Sequence, residues 1–167
     1  MKKLLFQLAI LVAGFSAPLQ GQQLSGAGAT FPAPLYQRWA VEYNKQVPAI
    51  KVNYQSVGSG AGVKNFLQGV VDFGASDAAI TDAEIAQSPR GAVLIPVTAG
   101  SVVLAYNLEG VSGLKLTRAA LAGIFLGTIT RWNDPAIVAA NPGLPLPARP
   151  ITVAYRSDGS GTTYVFT

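Results

Sequence analysis

Three loops in this sequence combine glycine with a hydroxyl side chain directly before a predicted helix. They are "GAGATF" with Thr30, "VGSGAG" with Ser59 and "SDGSGTT" with Ser160. A helix N-terminus has unpaired N–H groups and a partial positive charge, and glycine lets a ligand approach the backbone closely. Hydroxyl groups add further donors. If all three loops face one point, they form a cage of neutral hydrogen-bond donors suited to a small oxyanion.

Two charged residues accompany these loops. Arg156 directly precedes the third loop, and its guanidinium can bind an oxyanion through two parallel hydrogen bonds. Asp77 is an unexpected neighbour for an anion, and the Thr81–Glu84 pair already fits a helix capping box, which leaves Asp77 for another role. A carboxylate beside an anion fits an anion that carries a proton. Hydrogen phosphate carries one at neutral pH, and sulfate does not.

The same features also have a simpler interpretation, in which the hydroxyls are helix N-caps and the glycines serve tight turns. Familiar catalytic motifs are absent from the sequence. "VGSGAGVK" lacks the glycine that precedes the lysine of a P-loop, and Ala78 replaces the last glycine of a nucleophile elbow. With no histidine and no cysteine, the chain has no Ser-His-Asp triad and no His- or Cys-ligated metal site. We therefore expect no catalytic residues, no metal and no cofactor.

The elements that must position these loops alternate between strand and helix character. Apolar residues at Leu35, Trp39 and Tyr43 predict a helix. Further helices are predicted at "GVKNFLQGV", "TDAEIAQS", "LTRAALAGIFLG", which Thr117 would cap, and "GTTYVF". Strand character is found in "IKVNYQSV", "VDFGAS", "ITVAY" and the long run "AVLIPVTAGSVVLAYN". This alternation predicts an α/β fold with a largely parallel sheet, in which ligand-binding loops lie at the carboxyl ends of the strands.

The N-terminal residues 1–21 have the pattern of a secretory signal peptide, in which "MKK" precedes an apolar stretch. No cysteine follows that stretch to accept a lipid, so we expect an exported protein without a lipid anchor. Without Lys2 and Lys3, the 12 basic residues become 10 against 8 acidic residues, a net charge of +2. This balance, and the lack of a basic patch with interleaved aromatics, indicates no nucleic-acid partner.

Taken together and in order, the motifs resemble the periplasmic phosphate-binding protein of the ABC-type phosphate importer. The matching stretches are "LSGAGATFPAPLYQRW", "VNYQSVGSGAGVKNF", "VDFGASDA", "IFLGTITRWNDPAI", "NPGLPLP" and "YRSDGSGTTYVFT". The resemblance implies a two-lobed periplasmic-binding-protein fold of the class II type. Because that family is about twice this length and "GTTYVFT" stops within an apparent helix, we expect a fragment covering roughly the first half. Residues 22–97 would belong to an incomplete lobe one, and 98–167 would begin lobe two.

The resemblance also implies a set of phosphate ligands, carried over position by position. Thr30 and Ser59 would donate hydroxyl groups, Asp77 would accept the proton of the phosphate, and Asp158 would orient the cationic side chain. The expected phosphate-binding residues are Ala29, Thr30, Phe31, Ser59, Asp77, Arg156, Ser160, Gly161 and Thr162.

The function implied is high-affinity binding of inorganic phosphate in the periplasm and its delivery to the membrane subunits of an ABC-type permease. The protein would be monomeric and would not be an enzyme. Two alternatives remain at this stage. One is an exported binding protein for another oxyanion, such as sulfate. The other is a phosphoesterase that uses the same anion cage.

Overall fold

The computed structural model of this protein describes residues 21–167. Among these residues, one compact unit comprises those up to Gly100 together with Asp158–Thr167, and a second comprises Ser101–Ser157. The predicted signal peptide lies outside the described residues except for Gly21. The predicted division into residues 22–97 and 98–167 stays a prediction for the lobes, although residues 158–167 group here with the first unit.

The first unit is built on a three-stranded parallel sheet in the order β2-β1-β3. Its strands are β1 (Gln22–Gly28), β2 (Ile50–Ser56) and β3 (Phe73–Ala75). Helix α1 (Ala33–Gln46) joins β1 to β2, and helix α2 (Ser59–Leu67) joins β2 to β3. The parallel strands with helical connections confirm the predicted α/β fold.

Ser25 and Asp72 join β1 to the residue that precedes β3. The backbone N–H and the hydroxyl of Ser25 donate to one carboxylate oxygen of Asp72, at 2.8 and 3.0 Å. The Asp72 N–H donates in return to the Ser25 carbonyl oxygen at 2.8 Å. Because these bonds favour the ionised carboxylate, they lower the pKa of Asp72, and Arg90 adds a smaller effect in the same direction.

Helix α1 is confirmed, but the face that predicted it is not the face that packs on the sheet. Trp39 and Tyr43 are 47% and 43% exposed. Instead, the ring of Tyr36 meets the ring of Tyr54 on β2 edge-on, with 5.0 Å between ring centroids. The amide of Asn44 donates to the Ile50 carbonyl at 3.0 Å. This inner face was missed in the sequence analysis because a tyrosine and an asparagine form it. The helix is predicted from the spacing of its most apolar side chains, which lie on a different face.

The strand predictions for residues 92–107 and 151–155 are wrong for this chain. Within residues 21–167, no strand is found in either segment. In the first, Val93 is 85% exposed and Val103 is 78% exposed. Valine and isoleucine favour extended backbone, but a strand forms only where a neighbouring strand pairs with it. The boundary between the two units, at Gly100–Ser101, lies inside the first of these segments.

The second unit contains helix α4 (Arg118–Phe125) and the short helix α5 (Pro135–Val138). As predicted, the Thr117 hydroxyl caps α4 by accepting a hydrogen bond from the Ala120 N–H at 3.1 Å. Ala120, Ile124 and Ile137 form the buried core of this unit. The amide of Asn141, which is 6% exposed, exchanges two hydrogen bonds of 2.7 Å with the backbone of Lys115. This bond pair holds the entry to α4 against the end of α5.

The remaining helices are α3 (Asp82–Ile85) and α6 (Gly161–Phe166), both in the first unit. The capping box predicted for α3 is present, with the Glu84 N–H donating to the Thr81 hydroxyl and the Thr81 N–H donating to the Glu84 carboxylate. In the part of the chain that the structure describes, no helix has the length and apolar character to cross a bilayer.

Candidate oxyanion-binding site

The carboxyl-terminal ends of the three strands form the centre of the candidate site. The carbonyl oxygen of Gly28, at the end of β1, accepts hydrogen bonds from the N–H groups of Val57 and Gly58, at 3.1 and 2.9 Å. The Ala29 N–H donates to the Ala75 carbonyl at the end of β3, at 2.9 Å. Because the strands are parallel, the loops that follow them share one edge of the sheet. These bonds join those loops directly.

Asp77 is the acceptor that links the second and third loops. The Ser59 hydroxyl lies 3.4 Å from Oδ1 of Asp77, to which it donates, and 3.3 Å from the Asp77 backbone N–H, from which it accepts. The Thr162 hydroxyl donates to Oδ2 of Asp77 at 2.9 Å. The structure therefore brings three predicted site residues together, although Thr162 is 85 residues from Asp77 in the chain.

The backbones of the second and third loops also touch. The Gly60 N–H donates to the Gly159 carbonyl at 2.9 Å, and a Cβ added to Gly60 would lie 3.1 Å from the Gly159 Cα. A Cβ added to Gly161 would overlap the Ser59 hydroxyl and the Asp77 side chain. Glycine is therefore required at position 161 by the site itself and not by a turn.

Helix capping explains only one of the three hydroxyls that precede helices. Ser160 is 8% exposed and caps α6, since its hydroxyl accepts from the Thr163 N–H at 3.2 Å. The N-cap positions of α1 and α2 are instead Pro32 and Gly58, and neither helix has a side-chain capping bond. The simpler interpretation thus accounts for Ser160 and leaves Thr30 and Ser59 without a capping role.

The capping box of α3 decides between two interpretations of Asp77. Thr81 is the N-cap residue of that helix, so Asp77 does not have that role. The N–H and hydroxyl of Thr81 both donate to Glu84 and lower the pKa of its carboxyl. Asp77 instead points its carboxylate at the hydroxyls of Ser59 and Thr162.

The first loop is held from two sides. Ala29 is 1% exposed, its N–H is bonded to Ala75, and its carbonyl oxygen accepts a 2.7 Å hydrogen bond from the Tyr54 hydroxyl. Sequence reasoning missed Tyr54, because its register opposite β1 becomes visible only once the sheet is paired. Phe31 is 46% exposed. Its ring lies next to Gly100, since a Cβ added to Gly100 would lie 3.2 Å from a ring carbon of Phe31.

The two charged residues predicted beside the third loop are Arg156 and Asp158. Arg156 belongs to the second unit, and its role as the cationic ligand stays a prediction. Asp158 belongs to the first unit, where its carbonyl accepts from the Ser160 N–H at 2.7 Å, and its role in orienting Arg156 also stays a prediction. Across residues 21–167, no group of three His, Cys, Asp or Glu residues is placed to hold a metal ion.

Comparison with known proteins finds curated relatives that are similar to this chain. A "Phosphate-binding protein PstS" from Pasteurella multocida is 45% identical to this chain over 169 residues, covering all of the chain and 48% of the relative. The protein of the same name from Haemophilus influenzae is 46% identical over 160 residues, covering 95% of the chain and 47% of the relative. The chain thus spans about half the length of the curated relatives it matches.

The fold has a solved counterpart. A structure from Clostridium perfringens, described as a phosphate ABC transporter substrate-binding protein with bound phosphate, superposes with a TM-score of 0.63. It is 24% identical in sequence, and the match covers 87% of this chain and 54% of that chain. The family model of the PBP superfamily domain matches residues 16–167. The resemblance noted from the motifs is thereby confirmed, and the chain belongs to the PBP superfamily domain family.

Proposed function

We propose that this protein binds inorganic phosphate outside the cytoplasm and delivers it to the membrane subunits of an ABC-type importer. The observation that supports this most directly is the position of Asp77, whose carboxylate lies where the second and third loops meet. The names of the relatives from Pasteurella multocida and Haemophilus influenzae support the same ligand. The expected ligands are the residues carried over from the motif resemblance, Arg156 included.

A carboxylate beside a bound anion requires a proton between the carboxylate oxygen and the oxygen of the anion, since both are hydrogen-bond acceptors. An ionised carboxylate has about four lone-pair sites, and the hydroxyls of Ser59 and Thr162 use one on each oxygen of Asp77. Asp77 can therefore still accept a hydrogen bond from the O–H of hydrogen phosphate. Sulfate, which has no proton at neutral pH, would place an unprotonated oxygen against the carboxylate.

The expected energies suit a transport receptor. Hydrogen bonds to a charged group contribute about 1.5–3 kcal/mol each, so several of them offset the lost hydration of phosphate. A site that leaves a buried polar group unpaired rejects the wrong ligand by about 10⁴–10⁵. Affinity would thus come from the donor loops, while selectivity over sulfate would come from Asp77.

The direct test is a calorimetric titration of the full-length protein with phosphate and then with sulfate at pH 7. We expect phosphate binding at micromolar or lower Kd and sulfate binding at least about 10⁴-fold weaker. Preferential binding of sulfate would overturn the proposal. The phosphoesterase alternative is tested in parallel, since steady release of phosphate from p-nitrophenyl phosphate would make the protein an enzyme.

We also propose that the protein acts as a monomer without a lipid anchor and without a nucleic-acid partner. Light scattering of the purified protein, with and without phosphate, checks whether the protein is a monomer. A stable dimer in both conditions would contradict it. Mass spectrometry of the exported protein checks for a lipid anchor, because an anchor would add the mass of its acyl chains.

A further inference from the structure

The hydroxyl of Tyr54 makes a short hydrogen bond to the backbone of the first loop. Its oxygen lies 2.7 Å from the carbonyl oxygen of Ala29, 25 residues earlier in the chain. Ala29 is 1% exposed, so this carbonyl is directed into the protein and not to solvent. The bond therefore fixes the carbonyl group of the peptide that links Ala29 to Thr30.

The Tyr54 ring is held in place by its neighbours across the sheet. In the register of the strands, Tyr54 on β2 and Phe73 on β3 both lie opposite Gly26 on β1. The two rings stack with 6.1 Å between their centroids and 18° between their planes. A Cβ at Gly26 would overlap the Phe73 ring, so the central strand can accommodate this stack only with glycine. The position of the hydroxyl follows from this packing.

Peptide geometry carries the effect of this bond to the next residue. The Ala29 carbonyl and the Thr30 N–H belong to one planar trans unit, in which the C=O and N–H point in opposite directions. The Ala29 N–H, on the preceding peptide, is fixed by its bond to Ala75. With both peptides held, the direction of the Thr30 N–H is determined, and it points away from Tyr54.

We propose that Tyr54 is a positioning residue that orients the Thr30 N–H toward bound phosphate. This inference rests on the proposed phosphate-binding function. A second effect acts in the same direction, because a donor bonded to a carbonyl polarises the whole amide and strengthens its N–H as a donor. Burial raises the pKa of Tyr54, as do the nearby Tyr36 and Asp77, so the hydroxyl keeps its proton at neutral pH.

The experiment compares Tyr54→Phe with Tyr43→Phe in the full-length protein. Both changes remove one phenolic hydroxyl and keep the ring. Tyr43 is 43% exposed on α1, and within residues 21–167 its hydroxyl makes no hydrogen bond. We expect the phosphate Kd to rise about tenfold in Tyr54→Phe and to stay unchanged in Tyr43→Phe.

A spectroscopic measurement separates positioning from general loosening of the fold. In isotope-labelled protein, phosphate should move the Thr30 amide proton downfield, and this shift should be smaller in Tyr54→Phe. If Tyr54→Phe does not fold, 3-fluorotyrosine at position 54 replaces it, since its more acidic hydroxyl is a stronger donor. That protein should show a larger Thr30 shift than the wild type.

The outcomes distinguish the two proposals. If the wild-type protein does not bind phosphate, the proposed function fails. If the wild type binds phosphate while Tyr54→Phe keeps its Kd and its Thr30 shift, the positioning role of Tyr54 is wrong. An unchanged Thr30 shift with 3-fluorotyrosine would contradict it as well.

Discussion

The first and third loops reach the candidate site in different ways. The first loop follows β1 directly, and its Ala29 is held by Ala75 and Tyr54 through bonds that belong to the sheet and its side-chain packing. The third loop arrives from far along the chain and is held by contacts of Gly159, Gly161 and Thr162. The comparison indicates that the position of the first loop is set by the sheet, because its bonds are made to residues of the neighbouring strands. The third loop is held by contacts with residues far away in the chain, so changes there should affect binding most.

The largest effect is expected from Gly161→Ala. The new methyl group would overlap the Ser59 hydroxyl and the Asp77 side chain, so the third loop must move away from the site. Alanine favours a helix over glycine by up to about 1 kcal/mol, so α6 itself should not be weakened. We expect the phosphate Kd of the full-length protein to rise about 100-fold, which is about 2.7 kcal/mol and corresponds to losing about one strong hydrogen bond to a charged group.

Gly143→Ala serves as the control for that variant. Gly143 lies in the second unit with φ 80°, and a Cβ there meets nothing within 4 Å. Backbone strain should lower its melting temperature without changing the phosphate Kd. Wild-type affinity in Gly161→Ala would show that the third loop does not need its close approach to Ser59 and Asp77.

An intermediate effect is expected from Thr162→Val, which keeps the shape of the side chain and removes its hydroxyl. Asp77 then loses the donor at its Oδ2 atom, and the third loop loses one of its contacts with the sheet edge. We expect a rise of about tenfold in phosphate Kd by titration calorimetry. Thr163→Val, the same change one residue later on α6, should leave the Kd unchanged. Equal effects of both variants would contradict a specific role for Thr162.

The smallest effect concerns the scaffold of the first loop. Ser25 lowers the pKa of Asp72, so the ionised form stabilises the fold above the ordinary pKa of 3.8, and this contribution is lost as the pH falls through the lower folded-state pKa. Asp72→Asn should therefore lower the melting temperature slightly at pH 7, and the difference from wild type should shrink below pH 3.8. Ser25→Ala removes only the hydroxyl donor and keeps the backbone N–H donor, so it should remove the smaller part of this pH dependence. A difference that stays constant at every pH would show that the charge of Asp72 is not involved.

Local patterns predicted the parts of the fold that depend on neighbours in the chain. The cap at Thr117 and the capping box of Thr81 and Glu84 are confirmed, because each involves residues three positions apart. The strand assigned to residues 92–107 is absent, since pairing depends on a partner that local propensity does not supply. The loops of the candidate site were found because glycine and hydroxyl residues are distinctive in the sequence.

Tyr54 shows where such prediction ends. Its role depends on the register that places it opposite Gly26 and on a carbonyl at the end of another strand. Neither is visible from the residues around Tyr54. The inner face of α1 was missed for a related reason, because Tyr36 and Asn44 are recognised only by what they contact on β2.

The central claim is that Asp77 accepts the proton of hydrogen phosphate, and the selectivity of Asp77→Asn tests it most directly. The measurement is the ratio of sulfate Kd to phosphate Kd in the full-length protein at pH 7. Asp82→Asn, an exposed change five residues later, is the control. We predict a wild-type ratio of about 10⁴ or more, retained in the control and reduced at least about 100-fold in Asp77→Asn. A ratio that stays at the wild-type value in Asp77→Asn would contradict this account of the site.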